Sequence, residues 1–199
     1  MTLQTETINI QKQKEIFLNY LKEDPRKGMD KLINFLENRS DFFTAPASTR
    51  FHNSVEGGLL DHSLKVRDLL AEKNERFNLG LTETEVNLSG LLHDLCKANI
   101  YKKDLRWRKD DNGKWESYES YVCEDTFPMG HGEKSVIMLQ FFITLTKNEY
   151  FLIRWHMGFA EKESMMYLNN AFDICPAIAA IITSDLEAAR LLESSPFEK

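Results

Sequence analysis

Cysteine, proline and glycine are all scarce in this chain, and so are long apolar runs. The three cysteines, Cys96, Cys123 and Cys175, form an odd set with no C-x-x-C pair. No disulfide framework, disulfide-linked partner or zinc–thiolate cluster is therefore expected, and the three read as reduced, mostly packed thiols. Five prolines and nine glycines leave no low-complexity tract. The longest apolar stretch, around Ile178 to Ile182, falls far short of the roughly 20 residues that a spanning helix needs, so no membrane association is expected. The N-terminal MTLQTETINIQKQKE lacks a basic segment followed by an apolar run and a cleavage site, which makes cytoplasm the expected compartment. Excess positive charge is missing too. Lys and Arg total 25 against 31 Asp and Glu, a net charge of −6, and this disfavours loose, charge-driven binding of nucleic acid over the whole surface.

What is present is an ordinary globular composition, 42% hydrophobic over 199 residues, enough for one domain with a real core. No repeat or linker-like shift divides residues 1–199, so they read as a single domain. Its mainly α character follows from apolar residues at helical spacing. Ile16, Phe17 and Leu21, then Met29, Leu32, Ile33 and Leu36, mark two short amphipathic helices within an N-terminal region over 1–49. Pro46 interrupts the pattern and leaves Arg50, Phe51, His52 and Asn53 on a loop. A helix over about Leu59 to Asn74 carries His62 on the same face as Leu59, Val66 and Leu69. Thr82-Glu83-Thr84-Glu85 is a capping box opening a helix through Val86, Leu91 and Leu95, with His93, Asp94 and Lys97 near its end.

Residues 102–122 differ: Trp107, Trp115, Tyr118 and Tyr121 flank Asn112-Gly113, the strongest short hairpin signal, so a small β-hairpin is inserted between helices. Its Lys102, Lys103, Arg106, Arg108 and Lys109 lie beside aromatic rings that could stack on nucleotides. The alternative is a solvated face whose acids, Asp104, Asp110, Asp111, Glu116 and Glu119, offset the charge. Helices are then expected from His131 through Val136, Leu139, Phe141 and Phe142, from the capping box Thr146-Lys147-Asn148-Glu149 to near His156 and Gly158, through Met165 and Leu168, and from Pro176 onward.

The rare polar residues fall on apolar faces. Asp185 follows Ile178, Ile181 and Ile182 at helical spacing, which aims a carboxylate into the core, where an unpaired one is costly. His62 and His93 also point inward. Each alone fits a hydrogen-bonded core residue as well as a ligand. Together, imidazoles and carboxylates suit a transition metal such as Mn, Fe, Co, Ni or Zn better than Mg or Ca.

Gly57-Gly58-Leu59-Leu60-Asp61-His62-Ser63-Leu64-Lys65-Val66, Leu91-Leu92-His93-Asp94-Leu95-Cys96-Lys97 and Thr183-Ser184-Asp185-Leu186 resemble the ordered motifs of the HD-domain superfamily of metal-dependent phosphohydrolases. Phe51-His52-Asn53 with the following Gly57-Gly58-Leu59-Leu60 is similar to the HD domains of bacterial 3′ to 5′ exoribonucleases. The likeness covers about residues 50–190. It implies an HD-domain helical bundle and two divalent ions: His62, His93 and Asp185 on one, His131 and His156 on the other, with Asp94 bridging both.

The resemblance further implies hydrolysis of a phosphomonoester or phosphodiester in a nucleotide or nucleic-acid end by metal-activated hydroxide. Asp94, Lys97 and His52 are then the catalytic candidates, with Lys97 stabilising phosphate charge and His52 contacting substrate or protonating the leaving oxygen. Arg50 and Lys134 are further substrate-binding candidates, Lys134 and its neighbour Glu133 the weaker ones. A solvated lysine at a helix end and an ordinary loop histidine are the plain alternatives for Lys97 and His52. Two other functions fit the same residues: a di-iron oxygenase on this scaffold, and a non-catalytic binding protein stabilised by its metal.

Overall fold

A computed structural model of the chain describes residues 9–110, 112–160 and 165–193. The helical expectation for residues 1–8, and the acid Asp111, lie outside the described residues. The order is α1 (Ile10–Lys22), α2 (Met29–Asn38), α3 (Gly58–Phe77), α4 (Glu83–Leu92), β1 (Tyr101–Lys109), β2 (Trp115–Cys123), α5 (His131–Gln140), α6 (Lys147–Trp155), α7 (Met165–Ile174) and α8 (Ala177–Glu187). The mainly α expectation with one inserted hairpin holds. Among the described residues no single helix is long and apolar enough to cross a membrane.

The helix limits follow local chemistry. Both expected capping boxes form. Thr82 and Thr146 each accept a hydrogen bond from the backbone N–H three residues on, and Glu85 and Glu149 reach back to the cap N–H at 3.0 and 2.7 Å. The two boxes are joined, because the Thr146 hydroxyl donates to Glu85 Oε1 at 2.9 Å. Arg26 then clamps the buried Glu149 carboxylate through two hydrogen bonds of 2.6 and 2.8 Å. An isolated carboxylate there would be expensive to bury, and the bidentate guanidinium offsets that cost.

Several boundaries differ from the sequence expectation. Helix α3 runs one turn further, to Phe77, and ends where Asn78 adopts a left-handed conformation at φ 50°. Helix α5 stops at Gln140, leaving Phe141 exposed rather than on the buried stripe. The hairpin turn is not a two-residue Asn-Gly turn. Lys109 pairs with Trp115, and the intervening loop is organised by Asp110, whose Oδ1 accepts from the N–H groups of Asn112 and Lys114. Gly113 supplies the positive φ of 79°. The register sorts the hairpin's charges: Lys103, Leu105, Trp107 and Lys109 share a face with Tyr121, Glu119, Ser117 and Trp115, while Asp104 and the Arg108–Glu116 ion pair lie on the other.

Two groups of buried apolar side chains make the core. One gathers α1, α2, α4, α5 and the start of α3 around Phe17, Leu32, Leu60 and Leu91; the other joins the rest of α3 to α6, α7 and α8 around Leu70, Leu152, Leu168 and Ile178. Helix α3 contributes to both, and His62 lies along it between Leu60 and Val66. Two glycines let the helices close up there. A Cβ on Gly90 of α4 would stand 2.5 Å from the Arg67 Cα of α3, and one on Gly132 of α5 would stand 2.1 Å from the Arg154 carbonyl oxygen of α6. Both separations are far below van der Waals contact, so these packings require glycine.

Candidate metal centre

Helix ends place most of the candidate ligands. His93 and His156 are the C-cap residues of α4 and α6, and His131 is the first residue of α5. His62 lies in the second turn of α3 and Asp185 near the end of α8. Asp94 follows His93 with φ −104° and ψ 24°, a sparsely occupied conformation common at functional sites. The turn sends the chain off the helix axis and carries the Asp94 carboxylate under the imidazoles.

All five histidines of the chain gather there. Ring centroids of His52 and His62 are 5.0 Å apart, those of His62 and His93 5.2 Å, and those of His93 and His156 4.9 Å. The two Asp94 oxygens face different groups. Oδ2 lies 3.8 Å from His62 Nε2 and 3.5 Å from His93 Nε2, whereas Oδ1 lies 3.9 Å from His131 Nδ1 and 3.5 Å from His156 Nε2. His62 Nε2 also lies 3.3 Å from His93 Nε2 and 3.2 Å from Asp185 Oδ1. Residues 62 and 185, 123 positions apart in sequence, thus meet.

The outward nitrogens are fixed by hydrogen bonds. His93 Nδ1 donates to the Gly90 carbonyl at 2.9 Å and His156 Nδ1 to the Ile153 carbonyl at 2.7 Å. Each bond satisfies a carbonyl left open at the helix end and turns Nε2 inward as an acceptor. His62 Nδ1 is held by Glu193 Oε1 at 2.8 Å, a carboxylate–histidine pairing that orients the ring and raises its basicity.

In the protein alone the imidazoles, carboxylates and the Lys97 ammonium shift one another's ionisation. Burial opposes the charged form of His62, but its hydrogen bonds to Asp185 and Glu193 prevail and hold its pKa at about 9. The Asp94 carboxylate, 3.9 Å away, holds His131 at about 10. Burial pushes His93 below the ordinary histidine value. Burial also works against the Asp94 carboxylate, yet the Lys97 ammonium and the surrounding imidazoles keep it well below the usual range. Among the buried polar atoms without a hydrogen-bond partner, Asp94 Oδ1 and His156 Nε2 face each other at 3.5 Å. Such orphans are costly unless something else satisfies them, and a cation would satisfy both. The buried His62, His93 and His156 imidazoles and the Asp94 carboxylate, with Nε2 of His93 and His156 turned inward as acceptors, are a donor set that fits a transition metal; one triplet, His62, His93 and Asp94, has its ligand atoms within 4.8 Å of one another.

The remaining candidates are distributed unevenly. Lys97 Nζ lies 2.6 Å from Asp94 Oδ2, so it reaches the centre. It does not do so along a continuous helix as the i, i+4 spacing from His93 implies; α4 stops at Leu92, and a 3₁₀ turn over Leu95–Lys97 brings the side chain back. His52 is half-buried against His62 with its Nε2 unpartnered, and burial first, then the neighbouring His62 charge, lowers its pKa to about 4. Arg50 is exposed on the same loop. Lys134 is buried with its ammonium 2.6 Å from Asp125, and Glu133 pairs with Arg154; neither is brought to the ligand cluster by a contact of its own.

Three supporting residues were not singled out by sequence. Glu193 lies beyond the stretch that carries the motifs. The buried Asp61 accepts from Gln13 at 2.7 Å and from Asn53 at 2.6 Å, which ties the His52 loop to the start of α3. Asn53 itself has φ 43°. A polar residue at a helix position next to His62 is the only sequence signal that points to Asp61, and Glu193 has none, because its partner is 131 residues away. In comparisons with known proteins, the chain matches no family model, no curated protein and no solved structure.

Proposed function

We propose that the protein is an HD-type metal-dependent phosphohydrolase acting on a phosphomonoester or phosphodiester of a nucleotide or nucleic-acid end. The observation that carries this reading is Asp94, whose two oxygens face two separate pairs of imidazoles. A carboxylate so placed can bridge two cations, with His62, His93 and Asp185 on one and His131 and His156 on the other. Divalent ions held there would supply an activated water near neutral pH and neutralise charge on the phosphoryl group.

The chain's own residues do the rest. Glu193 keeps His62 in one orientation through Nδ1, and the Gly90 and Ile153 carbonyls do the same for His93 and His156. Lys97 presents an ammonium beside Asp94, where it can donate to a phosphoryl oxygen as negative charge builds. His52, with a free ring nitrogen next to His62, contacts the substrate or its leaving oxygen. No Ser or Cys nucleophile is required in this scheme.

The test is a screen of p-nitrophenyl phosphates, cyclic nucleotides, nucleoside phosphates and short RNA with Mn, Co, Ni or Zn added. Phosphate or nucleotide release is expected, and Asp94→Asn should abolish it while lowering bound metal measured by elemental analysis. Inactivity across the panel with two ions bound would overturn the hydrolase reading; oxygen consumption by the iron form would identify a di-iron oxygenase instead.

A further inference from the structure

His131, His156 and Asp94 Oδ1 give the second cation position three donors, and the structure offers a fourth. Cys96 is buried, in the 3₁₀ turn just after Asp94. Its backbone N–H donates to Ser135 Oγ at 3.1 Å, which ties this turn to α5, the helix that begins with His131. Donor atoms of Asp94, Cys96 and His131 all lie within 4.8 Å of one another. Independently of the thiol, the buried Asp94 Oδ1 and His156 Nε2 are 3.5 Å apart and unpartnered.

We propose that Cys96 is a metal ligand, so that His131, His156, one Asp94 oxygen and a thiolate make an N₂OS set at that position. The inference rests on the metal-centre reading above and goes beyond the His and Asp ligands of the resemblance. It also revises the view of Cys96 as a packed thiol. Bonds of about 2.0 Å to nitrogen or oxygen and about 2.3 Å to sulfur put donor atoms of a tetrahedral site roughly 3.5 Å apart. Asp94, Cys96 and His131 need to close up by about 1 Å to meet that geometry, and His156 joins them through its 3.5 Å approach to Asp94 Oδ1. On binding, the S–H bond breaks, the proton leaves to solvent and the sulfur lone pair bonds the ion, with no change of oxidation state. A thiolate discriminates by softness: zinc, iron and cobalt are favoured over manganese, which prefers oxygen donors.

The experiment loads the full chain with two equivalents of cobalt(II) and records the near-ultraviolet thiolate-to-cobalt charge-transfer band. The band is expected in the unmutated protein, retained in Cys123→Ser and Cys175→Ser, and lost in Cys96→Ser. X-ray absorption of the zinc-loaded, unmutated protein gives the same answer without a substitution, as a zinc–sulfur distance near 2.3 Å. A coordination shell of nitrogen and oxygen alone, failure to take up a second equivalent, or a band that survives Cys96→Ser would each overturn the proposal. Hydrolysis by a two-metal protein without sulfur ligation removes the thiolate and leaves the hydrolase reading standing; sulfur ligation without hydrolysis does the reverse.

Discussion

His93 and His156 occupy equivalent local frames: each is the C-cap of a helix opened by a Thr-x-x-Glu capping box, each donates Nδ1–H to the carbonyl three residues back, and their rings lie 4.9 Å apart at 73°. The two boxes are themselves joined through Thr146 and Glu85, so the starts of the two helices are fixed relative to each other. Two short, capped helices thereby deliver two inward nitrogens without any flexible segment between cap and ligand.

If the protein is a phosphohydrolase, Lys97→Ala separates substrate chemistry from metal retention. In Lys97→Ala the ligands are untouched, so bound metal should stay at the unmutated level while kcat/KM on a phosphoester falls by about a hundredfold, the usual loss for one donor to a developing charge. Unchanged kcat/KM would remove Lys97 from the reaction.

Glu193 should act on metal affinity through His62. Removing the carboxylate in Glu193→Ala frees the His62 ring to rotate, and affinity for zinc or manganese, read by competition with a chelating dye, should drop by about 10- to 100-fold. Glu193→Gln keeps an acceptor for Nδ1–H and should lose less. Equal losses in both variants would mean that charge, not orientation, is what Glu193 supplies.

Gly132→Ala tests the packing that brings His131 beside His156. The added methyl would meet the Arg154 carbonyl oxygen at 2.1 Å, so α5 must move off α6. Overpacking of this kind costs about 1–3 kcal/mol, visible in a urea titration, and metal stoichiometry should fall with it. An unaltered unfolding midpoint and full metal content would show that the interface adapts.

Cations bound as proposed would compete with protons for the same nitrogens. In the metal-free protein His62 is raised from 6.5 to about 9 by Asp185 and Glu193 against its burial, and His131 from 6.5 to about 10 by Asp94. A raised folded-state pKa contributes stability that is complete below the unfolded value and is lost as pH rises through the folded one. The Tm of the metal-free protein should therefore fall between about pH 7 and about pH 10, while that of the metal-loaded protein should not, since the ions replace those protons. Loading should also release protons in weakly buffered solution. A parallel fall in both forms would count against metal at these histidines.

Much of this was legible in the chain because it is local. Helix starts at Thr82 and Thr146 depend on side chains three residues away, and the hairpin depends on β-rich segments around Gly113. Near the ends of those elements local rules weaken. A turn at Asp94, unsignalled by any glycine or proline, redirected Lys97; Asp110 reorganised the hairpin loop; and α5 ended before Phe141 could be buried.

The sequence by itself determined the mainly helical architecture, the inserted hairpin and the inward placement of His62, His93 and Asp185, since each follows from periodicity and caps within one segment. Only the tertiary structure decided that all five histidines share one centre, that the two Asp94 oxygens face different imidazoles, and that Glu193 and Cys96 stand beside them. Those relationships join residues up to 131 positions apart, and they depend on helices brought together at Gly90 and Gly132 by buried apolar surface, a non-directional force that leaves no local pattern in the chain.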